Sequence, residues 1–149
     1  MKTWLHSMLD LVYPRTCEGC GGNLGEAGDG EYLCWECAAK ATVIQPPYCI
    51  RCGQPVTGLI DHDYRCHACV RNPPAFDMAR SCVLHEGLMR EILMTFKYRE
   101  GLWLAPDLVR FLAARLTGDF DLRAVDGFIF VPMHHRKKRE RGYNQAELL

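Results

Sequence analysis

The sequence predicts a small zinc-ribbon module, metal-stabilised and β-rich, followed by the N-terminal part of an α/β domain. Three observations predict this. Eight of the nine cysteines stand in Cys-x-x-Cys pairs, Cys17/Cys20, Cys34/Cys37, Cys49/Cys52 and Cys66/Cys69. The last two pairs repeat the first two at a constant offset of 32 residues, the mark of a tandem unit. From residue 77 onward strand-like and helix-like apolar patterns alternate, as in α/β chains.

Composition bounds the answer before any motif is read. The chain has 149 residues, 18 Lys+Arg against 18 Asp+Glu, 48% hydrophobic and 24% charged residues. That composition excludes whole-chain disorder. No stretch approaches the roughly 20 apolar residues of a membrane span, and His6 and Asp10 interrupt any signal-peptide core. A cytoplasmic protein with no membrane span is expected. A reducing cytosol keeps thiols free, so paired cysteines there read as metal ligands before disulfides.

The repeat extends beyond the cysteines. Tyr32 and Tyr64 each precede a third cysteine by two residues, and Gly21 and Gly53 each follow a second one. A two-residue spacer lets two sulfurs of one tight turn reach one ion, and the glycine accepts the positive φ that aims backbone N–H groups at thiolate. Four thiolates in a tetrahedron suit Zn²⁺ and leave no open position for a substrate water. Two structural zinc ions are therefore expected, held by Cys17, Cys20, Cys34, Cys37, Cys49, Cys52, Cys66 and Cys69. Each unit is poor in apolar residues, and zinc coordination can supply roughly 10–16 kcal/mol of coupled folding free energy. Disulfides or rubredoxin-type iron would use the same sulfurs, and a cross-braced pairing of the cysteines would use the same residues as a sequential one. With four sulfurs available per unit, His62 and His67 read as surface residues.

Before the first unit, Trp4, Leu5, Met8, Leu9 and Val12 recur at helical spacing until Pro14 stops them, which predicts an N-terminal amphipathic helix over 1–15. The double zinc ribbon follows over 16–75, with Pro46-Pro47 between its units and Asn72-Pro73-Pro74 closing it. Residues 76–149 form the α/β part. Alternation from Asp77 to His85 predicts a strand, with Cys82 as a small core residue. Leu88, Ile92, Leu93 and Phe96 mark a helix of about three turns ending at Gly101. A second helix runs from Pro106 to Gly118. The apolar run Phe128-Ile129-Phe130-Val131 predicts a strand covered on both faces.

Net charge is zero but unevenly placed: residues 130–149 hold five basic and two acidic groups. This cluster follows the second predicted strand, the usual ligand side of an α/β sheet. Asn144 with Glu147 three residues on resembles a capping box. A helix start beside Arg141 and Gly142 is a place where phosphate binds. A solvated basic turn is the plainer alternative.

These pieces together resemble the ComF competence-protein family. The shared features are the tandem Cys-x-x-Cys module, Pro-Pro-Ala-Phe-Asp at 73–77, Phe96-Lys97-Tyr98, and Val131-Pro132-Met133-His134 continuing into Arg139-Glu140-Arg141-Gly142-Tyr143-Asn144-Gln145. The resemblance implies that the α/β part is an incomplete type I phosphoribosyltransferase-like domain. It also implies a link to natural transformation and DNA uptake. By position it carries phosphate or nucleic-acid binding onto Arg136, Arg139, Arg141 and Asn144, and it assigns no catalytic residue. The family pattern continues into a phosphoribosyl-binding loop with adjacent acidic residues, and no Asp-Asp or Asp-Glu pair occurs here. The chain therefore reads as an N-terminal fragment without transferase activity of its own.

A ComF-like role in DNA uptake or related nucleic-acid handling is the leading expectation. The alternatives are a phosphoribosyltransferase active only as a longer parent chain and a zinc-ribbon protein-interaction module. Expected partners are single-stranded DNA or a phosphorylated ligand, a protein of the competence machinery, and a second copy meeting through the incomplete domain.

Overall fold

The computed structural model describes residues 14–24, 30–60 and 62–149. The amphipathic helix expected over 1–15 falls almost wholly outside the described residues. Six α-helices occur among those described: α1 (Trp35–Ala39), α2 (His67–Arg71), α3 (Gly87–Tyr98), α4 (Ala105–Asp119), α5 (His135–Arg141) and α6 (Gln145–Leu148). The chain divides into two compact units. One holds the described residues up to Ala41 together with His85–Leu149; the other is Thr42–Leu84.

Each unit contains one zinc knuckle, and the two are built alike to the level of single hydrogen bonds. Cys17 N–H donates to Gly22 O at 2.8 Å, and Cys49 N–H to Gln54 O at 2.8 Å. Glu18 N–H reaches Tyr32 O and Ile50 N–H reaches Tyr64 O, both at 2.9 Å. An isolated antiparallel bridge, Thr16 with Asn23 and Tyr48 with Pro55, closes each first turn. Gly21 and Gly53 take φ +70° and +73°, conformations that a Cβ disfavours. The third cysteine of each repeat then stands at the N-cap of a one-turn helix: Cys34 for α1, where its sulfur accepts from Cys37 N–H, and Cys66 for α2, without such a bond.

In the first unit, α3 and α4 meet through the 3₁₀ turn Leu102–Leu104. Met89, Ile92 and Phe96 of α3 are buried with Leu104 and Leu108, each worth about 1.5–3 kcal/mol when fully withdrawn from water. Pro106 sits in the first turn of α4, where its missing N–H has no partner to lose. Tyr143 joins the same core, its ring centroid 5.9 Å from that of Phe96 and its hydroxyl donating to Phe96 O. That contact holds the C-terminal segment against α3.

Both helices match the expectation from periodicity, but the β-rich and α/β assignment does not hold. No strand occurs among the described residues, only isolated bridges. In the knuckles the cause is local: after one bridge the chain turns into the one-turn helices α1 and α2 instead of a second ribbon strand. The strand expected at 77–85 is reduced to the bridge Val43 with Val83 and two bonds, Ile44 N–H to Cys82 O and Leu84 N–H to Thr42 O. Its partner segment runs into Pro46-Pro47, whose nitrogens have no hydrogen to continue a ladder. The strand expected at 128–131 has no partner strand among the described residues. Phe128, Ile129, Phe130 and Val131 are 75%, 97%, 48% and 76% exposed, the reverse of the burial expected. An apolar run reports a preference for burial; a strand also needs a neighbouring backbone to receive its hydrogen bonds.

Candidate metal centres and the basic segment

The eight paired cysteines gather into two clusters, Cys17/Cys20/Cys34/Cys37 and Cys49/Cys52/Cys66/Cys69, with sulfurs all within 4.8 Å of one another. Each repeat therefore closes its own site, and the cross-braced alternative is set aside. A zinc tetrahedron with Zn–S of about 2.3 Å has edges of about 3.8 Å. Cys20 Sγ lies 3.9 Å from Cys34 Sγ, and Cys52 Sγ 3.7 Å from Cys66 Sγ. The donor set fits zinc in number, chemistry and spacing, and the protein holds two structural zinc ions.

The backbone around each site is arranged for thiolate. Cys17 Sγ accepts N–H bonds from Gly19 at 3.4 Å and Cys34 at 3.3 Å, and Cys49 Sγ accepts one from Cys66 at 3.3 Å. Burial alone would push the Cys17 thiol up. The N–H groups of Cys34, Cys20 and Gly19 outweigh it and bring Cys17 down to about 7. The same contest takes Cys49 down to about 6 through the N–H groups of Cys52, Cys66 and Arg51. Cys37 and Cys69 go the other way, to about 12, through burial and the neighbouring sulfurs. Four sulfurs this close share negative charge poorly unless a cation sits among them.

The basic segment is α5 and the turn after it. His134 caps α5, its Nδ1 accepting from Arg136 N–H at 3.3 Å, and Gly142 ends the helix with φ +83°. Arg136, Arg139 and Arg141 all lie on α5 but not on one face: at 3.6 residues per turn, Arg139 stands about 60° from Arg136 and Arg141 about 140° from it. Arg136 pairs with Glu140, Nε to Oε1 at 3.4 Å. Arg139 is exposed. Arg141 lays its guanidinium 4.9 Å from the Tyr98 ring centroid. Asn144 is 5% exposed; its Nδ2 donates to Val131 O at 3.1 Å, and its Oδ1 accepts from Ala146 N–H at 3.2 Å. It caps α6 as the sequence suggests, while Glu147 accepts from Lys138 Nζ at 2.8 Å instead of completing a capping box.

Asp107 carries no signal in the sequence that would single it out. It is 4% exposed, in the first turn of α4. Its Oδ1 accepts from Glu31 N–H at 3.0 Å, and its Oδ2 from Tyr32 N–H at 2.7 Å. An acid in a first helical turn is legible as a favourable dipole contact; a partner 75 residues upstream is not. Lys97 and Tyr98 stand out in the sequence only as part of a motif. None of the described helices is long and apolar enough to cross a membrane.

Comparisons with known proteins agree with this geometry. Residues 8–70 match the double zinc ribbon domain family. Over 136 residues the chain is 30% identical to competence protein F of Haemophilus influenzae, covering 89% of this chain and 56% of that protein. Over 146 residues it is 28% identical to DNA utilization protein YhgH of Shigella flexneri, covering 93% of this chain and 60% of that one. The chain thus spans less than two thirds of the length of these curated relatives. No solved structure matches it.

Proposed function

This chain belongs to the ComF family, and from that premise we propose that it serves DNA uptake or a related handling of nucleic acid, with the zinc knuckles as scaffold and the basic segment meeting phosphate. The observation that carries the proposal is the concentration of five cations in α5, Arg136, Lys137, Lys138, Arg139 and Arg141, within a chain of zero net charge. A neutral chain has no long-range attraction for a polyanion, so a local cluster must supply it. Arg136, Arg139 and Arg141 reach phosphates in this reading, while Asn144 fixes the turn that presents them. A protein of the competence machinery is the proposed partner.

Binding of single-stranded DNA measured against salt tests the proposal. Replacing all three arginines with Ala should weaken binding and flatten the logarithmic salt dependence by about 0.7 for each phosphate no longer neutralised, with zinc content unchanged. An unaltered slope would leave α5 a solvated basic helix.

A second reading, a protein-interaction module, is favoured by the exposed run Phe128–Val131, since contiguous apolar surface of this kind marks contact sites. Sedimentation of the chain across a concentration series would reveal self-association through it, and Ile129→Asp should abolish that association.

A further inference from the structure

The cations of α5 divide between two faces, and one face closes over the end of another helix. A step of four residues returns to the same side of a helix, so Lys137 and Arg141 lie together. With Lys97, Tyr98, Glu100 and Glu140 they line a cleft of about 390 Å³. Three of these residues end α3 or follow it, and three belong to α5. The cleft has an aromatic wall: Tyr98 is 63% exposed, and the Arg141 guanidinium lies 4.9 Å from its ring centroid. Three cations against two carboxylates leave one formal positive charge, which matches a phosphodiester better than a phosphate dianion.

The wall is also strained. Glu100 has φ +56°, alone among the described non-glycine residues in the left-handed region. Gly101, beside it, would tolerate that conformation, but it is held against α3, where a Cβ would come within 3.0 Å of the Thr95 backbone. Glu100 further places a carboxylate at the C-terminal end of α3, where the helix dipole opposes it. Two unfavourable features coincide at this one cleft-lining residue, which is consistent with a site that retains them for binding.

We propose that this cleft holds one nucleotide of a single strand, the phosphate between Lys97, Lys137 and Arg141 and the base against Tyr98. The proposal rests on the nucleic-acid reading above for its ligand class, but it shares only Arg141 with the residues named there and adds Lys97, Lys137 and Tyr98. Cations grip any phosphate; an exposed ring adds affinity only for a ligand that carries a base. Glu100 and Glu140 lower the attraction for bare anions, so the ring and the cations must be engaged together.

The experiment uses the zinc-loaded full chain and three probes: a labelled oligothymidylate, an abasic oligomer of equal length, and free thymidine monophosphate. Tyr98→Ala should weaken the oligothymidylate about fivefold or more and leave the abasic oligomer within twofold, while Tyr98→Phe restores binding. Lys97→Ala with Lys137→Ala should weaken both oligomers about tenfold and reduce the salt slope by about 0.7–1.4. Glu100→Gln should tighten both. Arg136→Ala should weaken the two oligomers equally. If the oligomers bind and only Arg136 and Arg139 variants weaken them, the cleft assignment is overturned while the DNA role stands. If the oligomers do not bind but thymidine monophosphate does, with weaker binding in Lys137→Ala, the DNA role fails and the cleft survives as a nucleotide site. Binding of none of the three probes overturns both.

Discussion

The first zinc knuckle is braced by a carboxylate from a helix 75 residues further along the chain, and the second by the residues that directly follow it. In the first, Asp107 of α4 holds Glu31 and Tyr32 through two backbone N–H groups, and a Cβ at Gly30 would overlap that carboxylate. In the second, Ala79 N–H donates to Arg51 O at 2.7 Å. Arg80 Nη1 donates to Ile50 O at 3.0 Å, and its guanidinium lies 4.9 Å from the Tyr48 ring centroid. Arg51 Nη2 in turn donates to Pro74 O at 3.1 Å. Inside the knuckles the corresponding bonds differ little. The difference teaches that a metal repeat fixes its own interior and leaves its exterior free to be held by whatever packs there.

The largest effect should come from removing the distant brace. Asp107→Ala leaves two part-buried N–H groups without their charged acceptor, a cost of roughly 2–4 kcal/mol. Hydrogen exchange should quicken at Glu31 and Tyr32 and stay unchanged at Asp63 and Tyr64. Equal acceleration in both knuckles would mean that the braces are not separate.

Next come the matched glycines. Gly21→Ala meets only the unfavourable φ, about 1–2 kcal/mol, because open space surrounds its Cβ direction. Gly53→Ala meets the same φ and also Ala79 O, 2.7 Å from the added Cβ. It should cost about 1 kcal/mol more, read as a lower denaturant midpoint. Equal midpoints for the two variants would mean that the 79–80 segment does not brace the second knuckle.

The smallest difference concerns acid. A proton competes with zinc for each thiolate. Both Cys17 and Cys49 lie below the ordinary thiol range, so the stability they lend is present at high pH and lost as pH falls through the lowered values, about 7 and about 6. Each site should therefore lose its zinc as pH falls from neutral into the acid range. Release to a chromogenic chelator, followed in Cys49→Ser for the first site and in Cys17→Ser for the second, reads this directly; a site that gives up its zinc already above neutral pH would contradict the role of the N–H groups at the two sulfurs.

How much of this is legible in the sequence follows the same division between local and distant. The offset of 32 residues carries the ligands and the glycine turns, because each depends on neighbours within about 20 positions. Helices α3 and α4 are legible from Ile92, Phe96 and Leu108 at helical spacing, and from Pro106 at a start. The strands are not. Asp77–His85 alternates as a strand should, but its partner at 42–44 is cut short by Pro46-Pro47. Phe128–Val131 is apolar enough for a central strand, but its pairing depends on a neighbour that periodicity does not reveal. Asn144 is legible as a cap. The joining of Lys97 and Tyr98 to Lys137 and Arg141 depends on Tyr143 packing against Phe96, a tertiary contact with no trace in spacing.

Each repeat closes its own zinc site. Native mass spectrometry of the intact chain and of two variants tests it most directly. Two zinc ions are expected in the unaltered protein, one in Cys17→Ser and one in Cys49→Ser, with the remaining ion held by the cysteines of the untouched repeat. Loss of both ions from either variant, or an unaltered chain carrying disulfides in place of metal, would contradict it.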